Sequence, residues 1–246
     1  MKLSVVIPVR NEEKGIRLIA EALIRELSSQ GIVHEVILVN DQSTDSTPEV
    51  LRAMAHDYPQ VKTVDSSSPY GFGIAIRRGL ESISGEAVVV YMGDGSDDPQ
   101  DAVKYYRKLE EGFDCVFGSR FMRGSEVAGY PLVKLFLNRM GNEFIRLLFM
   151  ISYNDVSNAF KAYRTNVIRA VQPLVSQYFN ITVEIPLKAI VRGFSYAVIP
   201  IRWNGRESGV SKYNIRALSK KYFFSILFVW LEKILLKEEL GVAKGA

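Results

Sequence analysis

The first 120 residues alternate between short apolar, β-branched runs and longer stretches in which apolar positions recur every three or four residues. "LSVVI" (3–7) predicts a strand. Ile16, Ile19, Ala20, Leu23, Ile24 and Leu27 then share one helical face, and Glu12 and Glu13 sit where a first turn favours acids. "EVILVN" (35–40), "VKTV" (61–64), "AVVVYM" (87–92) and "FDCVFG" (113–118) predict further strands, with helices near 73–83 and 99–111. Thr47-Pro48-Glu49 reads as an N-cap followed by proline at the first helical position. This rhythm predicts an α/β fold, a mainly parallel central sheet flanked by helices. Ligands of such sheets bind beyond the carboxyl ends of strands. The acid-rich segments "NDQSTD" (40–45) and "GDGSDDP" (93–99) both fall there.

The second half has a different texture. Residues 131–151 predict a long apolar and basic helix, while "DVSNAFKAYR" (155–164) and "YAVIPIRW" (196–203) read as extended. "YFFSILFVWLEKILL" (222–236) is intensely apolar. Without repeats or a clear linker, the chain reads as one domain over 1–213 with a C-terminal apolar and basic extension over 214–246.

Composition narrows the chemistry. Hydrophobic residues make up 48% of the 246 and charged residues 24%, the balance of a globular protein. Cys115 is the only cysteine and reads as a buried core thiol. The two histidines, His34 and His56, lie far from it, which argues against a zinc site or a histidine-based triad. The net charge of +4 is modest but clustered. Arg202, Arg206, Lys212, Arg216, Lys220 and Lys221 face a single acid, Glu207, a pattern that suits phosphate ligands, nucleic acid or an anionic membrane surface. No stretch reaches the ~20 apolar residues that span a bilayer. "MKLSVVIPV" is too short an apolar core for a signal peptide, and Pro8 interrupts it.

"SPYGFGIAIRRG" (68–79) falls short of a dinucleotide fingerprint, because Ile76 holds the third glycine position. Gly71 and Gly73 then serve either a tight turn or a close ligand approach. In "GDGSDDP", Asp98-Pro99 has the form of an N-cap with proline behind it. Asp94, two residues past a buried strand and between two glycines, suits either a sharp turn or an oxygen-rich site for Mg²⁺ or Mn²⁺. Asp97 is intermediate between these roles.

Taken in order, "VVIPVRNEE", "VNDQSTDST", "GFGIAIRRG", "YMGDGSDDP", "GSRF", "DVSNAFKAYR" and "RESGVSK" resemble family 2 glycosyltransferases, most of all dolichol-phosphate mannose synthases and bacterial polyprenyl-phosphate glycosyltransferases. The resemblance spans roughly residues 2 to 213. It implies a GT-A nucleotide-sugar fold and inverting transfer of a hexose from a nucleotide diphosphate to a polyprenyl phosphate. By the same resemblance, Pro8, Asn11 and Glu12 cradle the nucleotide and Asp41 and Ser43 form the next turn, with Asp41 accepting from the base. Gly71, Gly73 and Ala75 complete the donor site. Arg120 faces the acceptor phosphate. Tyr130, Lys134, Asn138 and Asn142 match a Trp-Arg-Ser-Asn spacing, so that Lys134 stands where an arginine is usual. Arg206 and Lys212 lie in a loop that closes over the phosphates.

The family's Asp-X-Asp is altered here. A glycine side chain cannot ligate a metal, so Asp94 is the first choice for the cation or diphosphate and Asp97 the second. A phosphate acceptor needs no strong base; an acceptor hydroxyl would, and Asp155 or Glu184 would then serve. A protein that binds nucleotide sugars without turnover is the non-enzymatic alternative. The expected setting is the cytoplasmic face of a membrane, attached peripherally through 132–151 and 222–236, with a homo-oligomer contact as the other use of the last helix and no nucleic-acid partner.

Overall fold

The computed structural model describes residues 1–205 and 215–242, apart from the side chains of 215–219 and 237–242. Strands β1 (Leu3–Val9), β2 (His34–Asn40), β3 (Val61–Asp65) and β4 (Ala87–Val90) alternate with helices α1 (Ile16–Ser29), α2 (Thr47–Asp57) and α3 (Phe72–Glu81). After α4 (Pro99–Glu110) and β5 (Cys115–Ser119) come the short β6 (Glu126–Ala128) and the long α5 (Leu132–Phe149). Strand β7 (Lys161–Arg164), helices α6 (Thr165–Ala170) and α7 (Ile181–Val191), strands β8 (Tyr196–Pro200) and β9 (Arg202–Asn204), and helix α8 (Ile215–Val242) complete the chain.

Seven strands form one sheet in the order β3-β2-β1-β4-β7-β5-β8. All neighbours are parallel except β7, which runs antiparallel between β4 and β5. Alternate residues of β1 serve opposite faces, as the period of a strand requires. Leu3, Val5 and Ile7 pack under α1 and α4, while Val6 meets α3 on the other side. The chain steps outward from β1 to β3 and then returns to β4 on the far side of β1. That reversal opens a crevice at the carboxyl ends of β1, β2 and β4, the place where such sheets take ligands. A second, two-stranded sheet pairs β6 with β9 at the rim.

Several local readings need correction. Helix α1 starts at Ile16 with no acid in its first turn, so Glu12 and Glu13 belong to the preceding loop. The cap of α2 is Ser46, and Thr47 is already helical; its Oγ1 instead accepts a bond from the Glu12 N–H at 2.9 Å. In 155–164 only Lys161–Arg164 is a strand, because residues 155–160 form a loop held by side-chain bonds. Helix α7 was not foreseen. It is buried from Ile181 to Ala189 and contains Pro186, so it has no polar stripe to announce it. Helix α8 packs along α7 through Ile226 and Val229, with Ser225 joined to Asn180 and Arg192 paired to Glu232 at 2.6 Å.

Candidate active site

The loops that follow β1 and β2 are bonded to one another. Asn11 adopts a left-handed φ of 55°. Its N–H donates to Ser43 Oγ at 3.1 Å, and its Oδ1 accepts from Thr44 N–H at 2.8 Å. Glu13 accepts from Ser46 N–H at 2.9 Å. Pro8 is the penultimate residue of β1, in register with Val39. Asp41, at the end of β2, is buried; its Oδ1 accepts from Ser66 Oγ at 2.8 Å and from Gly71 N–H at 3.1 Å. A carboxylate at the start of α3 also meets that helix's positive end. Gly71 and Gly73 are required by packing: a Cβ on either would lie within 2.5 Å of the carbonyl oxygens of Gln177 and Ser176, respectively. Ala75 is wholly buried beneath them. The structure therefore gathers Pro8, Asn11, Glu12, Asp41, Ser43, Gly71 and Gly73 along one rim.

The turn after β4 is held from several sides. Gly95 has φ +76°, a conformation that favours glycine. Asp94 Oδ1 accepts from Ser96 Oγ at 2.6 Å and from its N–H at 3.2 Å. Asp98 caps α4 by accepting from Gln100 N–H at 2.8 Å, as expected. Asp97 is almost fully buried; Oδ2 accepts from Met92 N–H at 3.0 Å, and Oδ1 is buried with no hydrogen-bond partner. Burial and, next, the charge of Asp94 push the Asp97 carboxyl up to about 8. An orphaned carboxylate oxygen beside a second carboxylate fits a divalent cation. Among the described residues no cluster of three or more His, Cys, Asp or Glu stands ready. Mg²⁺ and Mn²⁺ need no such cage where substrate phosphates supply the remaining oxygens.

Strand β9 is fastened to this turn. Asp97 bridges to Trp203, Asn204 N–H donates to Ser96 O at 3.1 Å, and Arg202 pairs with Asp98 at 3.1 Å. Arg202 N–H also donates to the buried Asp101 at 2.7 Å. Arg206 and Lys212, just beyond β9, lie outside the described residues.

On the other side of the crevice, Arg120 is locked into a buried pair. It donates to Asp155 through Nε at 2.8 Å, Nη2 at 2.7 Å and the backbone N–H at 2.9 Å. Burial opposes its charge, but Asp155 outweighs that and raises the guanidinium above its ordinary range. The rings of Phe121, Tyr130 and Trp203 surround it at 5.3–5.7 Å. Asn138, Asn142 and Ser157 form a separate network that ties α5 to the loop before β7. Lys134, one turn earlier on α5, is exposed. Between α5, β6 and the loop after β5 lies an open cavity of about 400 Å³. Arg120 and Arg139 line it together with Phe121, Val127, Leu132 and Leu135. Of these, the sequence reading named Arg120 as a site residue and passed over Arg139 and Phe121. Arg139 follows Leu132 and Leu135 by seven and four positions, a helical-face spacing that was available.

The two carboxylates proposed as bases are both committed. Asp155 is held by Arg120. Glu184, fully buried, accepts from the N–H groups of Val175 and Ser176 at 2.9 and 2.8 Å and pairs with Lys188 at 3.1 Å.

A mainly parallel sheet flanked by helices, with an acid turn after the fourth strand, is a fold of the GT-A type. The family model described as "Glycosyl transferase family 2" matches residues 4–171, and the chain belongs to that family of enzymes. Among curated relatives, polyprenol monophosphomannose synthase of Mycolicibacterium smegmatis is 29% identical over 85% of this chain and 79% of its own. Dolichol-phosphate mannosyltransferase of Pyrococcus furiosus is 28% identical over 86% of this chain, which spans only 59% of that longer protein. Among solved structures, glucosyl-3-phosphoglycerate synthase of Mycobacterium tuberculosis, crystallised with Mn²⁺, UDP and phosphoglyceric acid, has a TM-score of 0.69. It is 20% identical, with 93% of this chain and 78% of that chain covered, a likeness of fold.

Proposed function

We propose that this glycosyltransferase moves a hexose, with inversion, from a nucleotide diphosphate sugar to a polyprenyl phosphate. The observation that carries the proposal is the commitment of Asp155 and Glu184, which leaves neither carboxylate to deprotonate a hydroxyl acceptor. A phosphate monoester, whose second pKa is about 6, is already an anion near neutral pH. Its oxygen attacks the anomeric carbon on the face opposite the diphosphate. The new C–O bond forms as the bond to the leaving diphosphate breaks, and no proton has to be removed. The names of the two curated relatives support the same acceptor class.

In this reading Asp41 accepts a hydrogen bond from the base, and the Asn11–Ser43 rim orients the nucleotide. Asp94, with Asp97, would hold Mg²⁺ or Mn²⁺, which supplies charge neutralisation for the leaving diphosphate. Arg206 and Lys212 add cations to the same charge. The acceptor enters from a membrane surface. No described helix is long and apolar enough to cross a membrane. Helix α5 nevertheless exposes Leu132, Phe136, Met140, Phe144 and Leu147, and α8 exposes Phe223, Phe224 and Phe228. Helices with such faces and basic flanks lie at the headgroup boundary.

The test is a panel of nucleotide sugars with Mg²⁺ or Mn²⁺, each offered polyprenyl phosphate and, separately, neutral sugar acceptors. Transfer to the lipid phosphate is expected. Transfer confined to sugar hydroxyls would overturn the proposal.

A further inference from the structure

Resting on that lipid-phosphate reading, we infer that Arg139 supplies the net positive charge that binds the acceptor phosphate, in the cavity between α5 and the loop after β5.

Arg120 reaches the same cavity but brings little net charge. Three of its N–H groups already meet Asp155, and the pair is neutral as a unit. Arg139 is different. Its guanidinium stands 5.5 Å from the Phe121 ring and, among the described residues, makes no ion pair. The natural candidate to neutralise it is Glu143, one turn further along α5. Glu143 instead binds Arg146, with contacts of 2.5 and 2.9 Å. Among the described residues no acid lines the cavity.

Helical register sharpens the assignment. Leu132, Leu135 and Arg139 share one face of α5. Lys134 projects about 140° away from Arg139 around the helix axis, and Asn138 and Asn142 are turned to Ser157. The cavity face thus presents two leucines and then a guanidinium, with Phe121 and Val127 opposite. Apolar walls ending at an arginine complement a ligand with a hydrocarbon tail and an anionic head. The volume of about 400 Å³ lies within the range of small-ligand sites. The planar fork of arginine can hold two phosphate oxygens at once.

The test uses farnesyl phosphate as a short soluble probe, with farnesol and inorganic phosphate as controls, titrated calorimetrically into the full chain. Farnesyl phosphate is expected to bind more tightly than either control. Arg139→Ala should weaken it about tenfold or more, the scale of a lost charged hydrogen bond. Arg139→Lys should retain part of the affinity, and nucleotide binding should be unchanged in both. Because Arg139 is exposed, the variants are expected to fold, which circular dichroism checks. An unchanged affinity in folded Arg139→Ala overturns the inference, as does an equal affinity for inorganic phosphate or no binding of farnesyl phosphate. Turnover separates this inference from the one beneath it. If the wild-type chain glycosylates polyprenyl phosphate and Arg139→Ala leaves the acceptor KM unaltered, the role of Arg139 falls alone. If farnesyl phosphate binds through Arg139 but no lipid phosphate is glycosylated, the transfer reaction falls and the binding role stands.

Discussion

The two sides of the crevice are built on opposite principles. On the proposed donor side, the loops after β1, β2 and β3 are laced by side-chain bonds: Asn11 to Ser43 and Thr44, Glu13 to Ser46, and Asp41 to Ser66 and Gly71. Polar groups there are fixed before any ligand arrives, which lowers the cost of ordering a polar ligand. On the proposed acceptor side, the first half of α5 leans on little: Leu132 is 80% exposed and Phe136 64%. Its main anchors are the Asn138–Asn142–Ser157 network and, lower down, Ile145 and Phe149. One side is fixed before any ligand arrives. The other offers apolar surface that only an apolar partner would cover.

That contrast can be broken by experiment. The largest effect is expected from Asp155→Ala, which strands the buried Arg120 charge and should cost about 3–5 kcal/mol of folding stability. A denaturant titration reads it, and a loss under about 1 kcal/mol would mean that the pair is not the acceptor side's internal support. Next comes Asp94→Ala, expected to lower transfer by about a hundredfold or more through lost stabilisation of the leaving group. Its melting temperature should stay near wild type, and full activity would move the cation elsewhere. Asp41→Ala is expected to weaken nucleotide binding about tenfold, on the scale of a hydrogen bond to a charged group. Calorimetry would show whether acceptor-probe binding is spared, as the contrast requires. A Leu132→Ser/Phe136→Ser double variant should bind anionic vesicles less well than wild type in flotation, with stability within about 0.5 kcal/mol because both residues are exposed. Equal flotation would remove α5 from the membrane contact.

Glu35 gives a reference point remote from both sides. Burial alone would raise its carboxyl. Lys62, together with Ser4 and Ser84, outweighs burial and holds it at about 2, below the ordinary 4.5. A lowered folded-state value stabilises above about 4.5, and that contribution fades as the pH falls toward about 2. Glu35→Gln should therefore be less stable than wild type at neutral pH and converge with it in acid. Parallel acid-unfolding curves for the two proteins would refute this.

The sequence pattern revealed the donor side better than the acceptor side, for physical reasons. β1 through α4 obey strand and helix periods with turn residues between them, so the rim position of Asp41 and Asp94 followed from topology. Asp98 was legible because an aspartate before proline is a local device. The Arg120–Asp155 pair was not, because it joins residues brought together only by β7 entering the sheet antiparallel. Helix α7 lacked a polar face to betray its period. In α5, apolar spacing shows that one face avoids water, yet is silent about what covers it. Leu132, which is exposed, and Ile145, which is buried, are equally apolar in the sequence.

The fastening of β9 to the Ser96–Asp97 turn has an evolutionary consequence. Through the Asp97–Trp203 bridge, the Asn204–Ser96 bond and the Arg202–Asp98 pair, two segments distant in the chain share one geometry. An insertion in "GDGSDDP" would displace β9 and, with it, the starting point of the segment that carries Arg206 and Lys212. The altered acid motif and the basic segment should therefore drift together along a lineage, so that a graft of either into a relative succeeds only when the other travels with it.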